Sequence, residues 1–442
     1  MSSIKRVEFE ADVQAVLNQI LPKLEEETTY CLLDTTSMAF SGSSVACMPE
    51  AYHQFDWILG LGVRQKVLLR DAEDWDKELQ ECLNEALLPL MGYLTYDLQK
   101  RTLPVHYPNH YAQSLSRLGF FFEPQAIISA ADGKLCLKGA HPEYYKAFVL
   151  DGAVDVDGEQ TCASGYNVDL NPCLDKEAYL ADVEALREEI LDGNVYEVNY
   201  CFPFEATQPG LNPLQLFRRM RLRSPNPFSA LLRNESEFVV SASMERFLRQ
   251  EGTQLISQPI KGTAKRSKHA MEDDRLKKQL AGDPKERAEN IMIVDLVRND
   301  LSRCCTTGSI EVPELCQVYT FPHVHQMIST VKGQKRSDVS SIDVLKSAFP
   351  MGSMTGAPKE MATRLIDRHE HFRRDIYSGS IGYLGRDTMD FNVVIRTMLY
   401  NADTGAVKIP VGSAITIDSE PRQEYEECWH KIRFWAELLR GA

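Results

Sequence analysis

At 442 residues the chain is long enough for a large core, in two or three domains or one unusually large one. With 43% hydrophobic and 25% charged residues it has the composition of a soluble globular protein, and a net charge of −14 argues against nucleic acid or an anionic membrane as partner. Its 11 cysteines are single apart from Cys304-Cys305, Met1–Glu10 has no apolar signal core and no run approaches membrane length, which together predict a cytoplasmic protein with reduced thiols.

Thr29–Asp34 and Lys66–Arg70 read as strands and Asp74–Ala86 as a helix. Gly92–Asp97 and Gly119–Glu123 have the form of buried strand ends, whereas Gly60-Leu61-Gly62 lacks the third glycine and acidic partner of a dinucleotide loop. No catalytic constellation occurs in this portion. Residues 151–171 are rich in turn-forming types and predict a linker, so that 1–165 form an N-terminal portion and 170–442 a second one. Asp175 is placed to cap a helix that ends near Asp192 at Gly193. In Tyr196–Phe204 the aromatic and aliphatic residues share one strand face, leaving Glu197, Asn199 and Cys201 on the other.

Phe238–Ser243 leads as a strand to Glu245, and Gln254–Ile260 leads as the next strand to Lys261. A hairpin of the two would bring Glu245 and Lys261 together near its open end. A lysine by itself is ordinarily a solvated charge; this one lies between Pro259-Ile260 and Gly262-Thr263. Asp283-Pro284-Lys285-Glu286 has the form of a capping box, followed by a helix to about Asp300 whose apolar residues surround the wheel and predict burial on all sides. Asp295 and Arg298 can pair within that helix, while Glu289 needs either a distant ion pair or a cation.

Phe349–Lys359 is a glycine-bearing loop entering a helix near Pro358, a geometry suited to anions. Gly379–Leu384 and Val393–Met398 read as strands, and Arg396 within apolar residues calls for an anionic partner. The last helix, Ser419–Leu439, carries Glu424, Glu427 and Lys431 on the border of its apolar arc and Glu426 toward solvent. Glu424 and Glu427 together with Glu289 suit a hard cation such as Mg²⁺; the alternative is a Glu427–Lys431 pair one helical turn apart.

Taken in order, Pro259–Thr263, Asp283–Arg303, Phe349–Lys359, Gly379–Leu384, Ile395–Thr397 and Asp418–Lys431 resemble the large subunits of chorismate-using enzymes, the family of anthranilate synthase component I, aminodeoxychorismate synthase component I and the isochorismate and salicylate synthases. The resemblance runs over roughly residues 175–440 and touches the first 150 only through Gly92–Asp97. It implies an α+β sandwich: two large, mostly antiparallel β-sheets packed face to face with helices outside, the two portions interlaced. It also implies Mg²⁺ held by Glu289 and Glu427 with Glu424 nearby, and chorismate contacts from Gly262, Thr263, Thr355, Gly356, Tyr383, Arg396, Gly412 and Lys431. An acidic protein that binds this dicarboxylate needs such local positive charge.

Within the resemblance Lys261 points to amination at C4, since anthranilate synthases usually have alanine there. The implied route has the Lys261 amine add to C2 while Glu245 protonates the departing C4 hydroxyl; ammonia then takes C4 and expels the lysine. The product is 4-amino-4-deoxychorismate, on the way to para-aminobenzoate and folate. To attack, the amine must lose its proton, and burial with cationic neighbours such as Lys265 or Arg266 is expected to help. No Gly-x-Cys-x-Gly elbow occurs, so ammonia is expected from a separate glutamine amidotransferase subunit. Two alternatives remain: anthranilate synthase component I, with C2 amination and pyruvate elimination, and a catalytically silent chorismate-binding subunit. The chain departs from the family pattern at Glu197, Met244, Gln326 and Ala414, where glutamine or lysine, proline, histidine and glycine are usual.

Overall fold

The computed structural model describes residues 4–35, 54–70, 72–107, 117–150 and 165–441. Among these, the strands form one twelve-stranded and one ten-stranded sheet, built from antiparallel pairs. Most of the predicted linker lies outside the described residues, but strands from both sides of it enter both sheets. In the larger sheet Thr29–Asp34 pairs with Ser229–Asn234, Leu32 opposite Leu231. In the smaller, Leu90–Leu94 pairs with Ser380–Leu384, Gly92 opposite Gly382.

Strand alternation sorts the core into three layers. Cys31 and Leu33 of the larger sheet meet Met91, Tyr93, Phe120 and Phe122 of the smaller one, forming the layer between the sheets. Their sequence neighbours Tyr30 and Leu32 point outward, onto a second layer built with Tyr179, Phe217 and Trp435 from helices. On the far side of the smaller sheet, Leu90, Leu94 and Phe121 pack with Leu79, Ile293 and Leu345. The result is helix, sheet, sheet, helix, an α+β sandwich.

Local signals place many elements as read. Asp175 caps helix Lys176–Leu191 by accepting from the Ala178 amide at 2.8 Å, and Gly193 follows at φ +78°. On strand Glu197–Thr207, Tyr200, Phe202 and Phe204 face the helices, while Cys201 turns inward to the layer that holds Met354 and Tyr377. No helix of the described residues is long and apolar enough to cross a membrane.

Three expectations need correction. The strand Glu237–Ser241 pairs with Thr397–Asn401 in the larger sheet; the hairpin is instead Arg246–Glu251 with Gln254–Gln258, in the smaller. Pro259 interrupts the second hairpin strand, and Lys261 lies on a further strand, Ile260–Lys265. Helix Pro284–Ser302 is not buried all round: Ile291 is 38% exposed, and Asp295 accepts from Arg298 at 2.7 Å on the solvent side. Arg396 lies in a bend before Thr397–Asn401 at φ +48°, not within a strand.

Candidate active site

Arg246 stands opposite Gln258 at the open end of the hairpin, so Glu245, just before it, and Lys261, just after it, come to the same end. Lys261 Nζ donates to Glu197 Oε1 on strand Glu197–Thr207, joining the two sheets. The lysine side chain is 10% exposed and the glutamate 0%. Burial by itself lowers the Lys261 pKa, but contact with Glu197 and the nearby charges of Glu289 and Glu245 outweigh it and hold the pKa above the ordinary lysine value. The expected cationic neighbours are elsewhere: Arg266 donates to Asp273 at 2.8 Å and to the Phe321 carbonyl at 2.8 Å, and Lys265 is exposed. Glu197 Oε2 has no hydrogen-bond partner among the described residues.

Glu245 is 4% exposed, and burial pushes its carboxyl up to about 7 despite offsets from Ser353, Lys261 and the Ile260 amide. Glu289 also rises to about 7, through burial first, opposed by Lys261 and reinforced by Glu197 and Glu286. The site thus holds an amine, an adjacent carboxylate and two carboxyls that change charge near neutrality. Met244 and Gln326 lie beside it; Gln326 Nε2 contacts the Met244 sulfur, and its buried Oε1 has no partner among the described residues. His325 faces the opposite side of its strand, bonded to Thr320 at 3.0 Å and Asp273 at 3.1 Å.

Gly262 takes φ +94°, and a Cβ there would come within 3.0 Å of Glu286 Oε2. Glu286, read from sequence as part of a cap, therefore belongs to the site; it lies three residues before Glu289 and so on the same helix face. Its pKa is raised by burial first, with further contributions from Asp283 and Glu427. Glu424 is raised likewise by burial and Glu427, with Ser419 offsetting. Glu427 Oε1 itself accepts from Lys431 at 2.6 Å. Among the described residues no three acidic, histidine or cysteine side chains stand close enough to enclose a metal ion. The donors are nonetheless carboxylate oxygens from two helices, suited to a hard cation, and Glu427 would have to leave Lys431 to complete the set.

The loop Phe349–Lys359 is fixed from beneath. Arg374 donates to the Met354 and Asn199 carbonyls at 2.7 and 2.8 Å, and Asn199 donates to the Ser353 carbonyl at 3.2 Å. Lys359, 6% exposed, pairs with buried Asp300 at 2.6 Å and donates to the Ala348 carbonyl at 3.0 Å. These bonds set Ser353 beside Glu245. Thr355 directs its hydroxyl to the Met351 carbonyl at 3.0 Å, while its amide donates to the Gly352 carbonyl at 3.1 Å and its carbonyl accepts from the Asn199 amide at 2.8 Å. At Gly356, φ is +135° and a Cβ would fall 2.0 Å from the Glu197 carbonyl oxygen.

Gly412 sits opposite Cys201, and its carbonyl accepts from Lys431 at 2.7 Å. Thr263, opposite Gln326, is exposed. Arg396 has no side-chain partner among the described residues, and burial lowers its pKa. Tyr383 is not brought to this group: its hydroxyl donates to Gln54 at 2.8 Å and its ring lies 5.9 Å from that of Phe55. Tyr377, six residues earlier, packs in the layer of Cys201, Met354 and Val393.

A family model described as chorismate binding enzyme matches residues 46–437. This chain belongs to the chorismate binding enzyme family. Over 266 residues it is 41% identical to aminodeoxychorismate synthase, chloroplastic, of Arabidopsis thaliana, a match covering 59% of this chain and 29% of that one. Over 258 residues it is 40% identical to aminodeoxychorismate synthase component 1 of Escherichia coli (strain K12), covering 58% and 56%. The chain therefore spans about half or less of the curated relatives it matches. The crystal structure of anthranilate synthase component I from Streptococcus pneumoniae TIGR4 superposes with a TM-score of 0.73 at 23% identity, covering 91% of this chain and 96% of that one, which shows the fold they share.

Proposed function

We propose that this chain aminates chorismate at C4 to give 4-amino-4-deoxychorismate, as an aminodeoxychorismate synthase component I, in the cytoplasm. The observation that carries this reading is Lys261: a buried primary amine at the meeting of two sheets, flanked by an acid that titrates near neutrality. Nζ forms the bond to C2, the double bonds shift, and Glu245 gives its proton to the C4 oxygen, which leaves as water. Ammonia then bonds to C4, the double bonds shift back and the C2–Nζ bond breaks. Arg396 and Lys431 would supply positive charge for the carboxylates, with Gly262, the Thr355–Gly356 turn and Gly412 as the further contacts in this reading. Glu289 and Glu427, with Glu424 close by, would hold Mg²⁺, which when bound supplies charge neutralisation for a dianionic substrate. Ammonia comes from a separate glutamine amidotransferase subunit.

The test is product analysis with purified protein, chorismate, Mg²⁺ and an ammonium salt. Formation of 4-amino-4-deoxychorismate supports the proposal. Anthranilate formed directly, with no lyase added, would replace it with C2 amination, and no consumption of chorismate would favour a silent binding subunit.

A further inference from the structure

The mechanism above leaves one buried group without a task. Glu197 is wholly enclosed, touches the nitrogen of Lys261 through Oε1, and has no partner at Oε2 among the described residues. Its backbone is fixed in two directions: Glu197 pairs with Ala357, and the next residue, Val198, with both Gly356 and Ile415. Side-chain reorientation is therefore not needed for it to serve Lys261.

A nitrogen that bonds to carbon and later leaves must lose a proton and regain one. We infer that Glu197 is the proton shuttle of Lys261, taking a proton from Nζ as the amine joins C2 and returning it to Nζ as the amine leaves. The inference rests on the proposed role of Lys261 as nucleophile. In the first half-reaction the Nζ lone pair forms the C2–N bond, the C4–O bond breaks, Glu245 supplies the proton of the departing water and Glu197 accepts the proton from Nζ. In the second, ammonia forms the C4–N bond, the C2–Nζ bond breaks with its electron pair returning to nitrogen, Glu197 protonates that nitrogen, and Glu245 accepts the surplus proton from the new ammonium. Both carboxyls return to their starting states, so chorismate and ammonia give product and water with no other reactant.

The charged groups around the pair divide the work. Glu245 faces it from the start of strand Arg246–Glu251, and Glu289 and Glu286 from helix Pro284–Ser302; all three interact electrostatically with Lys261. Of these carboxylates Glu197 alone forms an ion pair with Nζ among the described residues. Its unpartnered Oε2 can carry the proton without first breaking another bond, and full burial keeps that proton from exchanging quickly with solvent. Glutamine at this position would hold the lysine but could take no proton.

The test is Glu197→Gln, followed by intact-mass spectrometry and steady-state turnover with chorismate, Mg²⁺ and ammonium. Without Glu197 the proton that Nζ must shed as it joins C2 has no acceptor, so addition itself slows. The expected result is kcat lower by about 100-fold with no build-up of a protein species heavier by one chorismate less one water. Glu197→Asp, which keeps a carboxylate, is expected to restore part of the turnover. Wild-type turnover in Glu197→Gln would overturn the inference. Equal loss of turnover in Glu197→Gln and Glu197→Asp would make Glu197 a structural support, and overturn it equally. If Lys261→Ala still forms product, the nucleophile reading itself fails, whatever the Glu197 variants do.

Discussion

Lys431 Nζ holds Glu427 Oε1 at 2.6 Å and the Gly412 carbonyl at 2.7 Å, so one ammonium ties the C-terminal helix to the adjacent strand. The pair is half exposed and contributes little to stability by itself. Its interest lies in competition: Glu427 cannot satisfy Lys431 and a cation with the same oxygen. Glu427→Gln should raise the Mg²⁺ concentration for half-maximal turnover by ~10-fold or more, whereas Glu426→Gln, on the exposed side, should leave it unchanged. Magnesium titration of chorismate consumption measures both.

Removing Lys261 should cost stability as well as activity. Lys261→Ala leaves Glu197 buried with no counter-charge, a change worth about 3–5 kcal/mol in comparable buried pairs. The double variant Lys261→Ala/Glu197→Gln should recover much of that loss while remaining unable to form product. Urea unfolding reports the stability, and equilibrium binding of chorismate should persist in both variants. Equal stability of wild type and Lys261→Ala would mean that the ion pair contributes nothing in solution.

Several parts of this site were readable because they depend on short-range pattern. The alternation through Tyr200, Phe202 and Phe204 fixes which face Glu197 takes, and the spacing of Glu424, Glu427 and Lys431 places them on one helix border. Other parts depend on partners far away in sequence. Glu237–Ser241 looks like a natural hairpin arm, yet its neighbour is Thr397–Asn401, chosen by sheet pairing across the chain. The charge state of Lys261 is likewise set by Glu197, 64 residues away, and not by Lys265 or Arg266 beside it. Glu286 was hidden because its spacing from Asp283 fits a cap equally well. Tyr377 precedes strand Ser380–Leu384 and Tyr383 lies within it, and only the packing separates the one bound to Gln54 from the one beside Cys201.

Glu245 should show a conflict between stability and function. Its folded pKa of about 7 lies above the ordinary glutamate value, with burial as the main cause, so the folded protein binds this proton more tightly than the unfolded chain does. The favourable contribution is complete at low pH and is lost as pH rises from the unfolded value through about 7. Above that range the ionised carboxylate costs on the order of 3 kcal/mol. Glu245→Gln should therefore stabilise the fold at pH ~8 more than at pH ~5, while turnover falls by ~10²-fold or more through loss of the acid. Denaturant unfolding at the two pH values, set beside kcat, separates the effects. A gain that is larger at the lower pH would contradict the sign.

Arg396 offers the opposite combination to a structural arginine. It lies at φ +48° in a bend, and burial lowers its pKa with no side-chain partner among the described residues to compensate. A guanidinium left this way costs the folded protein free energy that a carboxylate ligand would return. Arg396→Met should therefore leave thermal stability unchanged or slightly raised, since it removes a partly buried charge that has no side-chain partner among the described residues. It should weaken chorismate binding by about 10- to 100-fold, the range expected for losing hydrogen bonds to a charged group. Calorimetric titration with chorismate and thermal unfolding of the same variant read the two quantities. A large loss of stability with unchanged affinity would place Arg396 in the scaffold and remove it from the substrate wall.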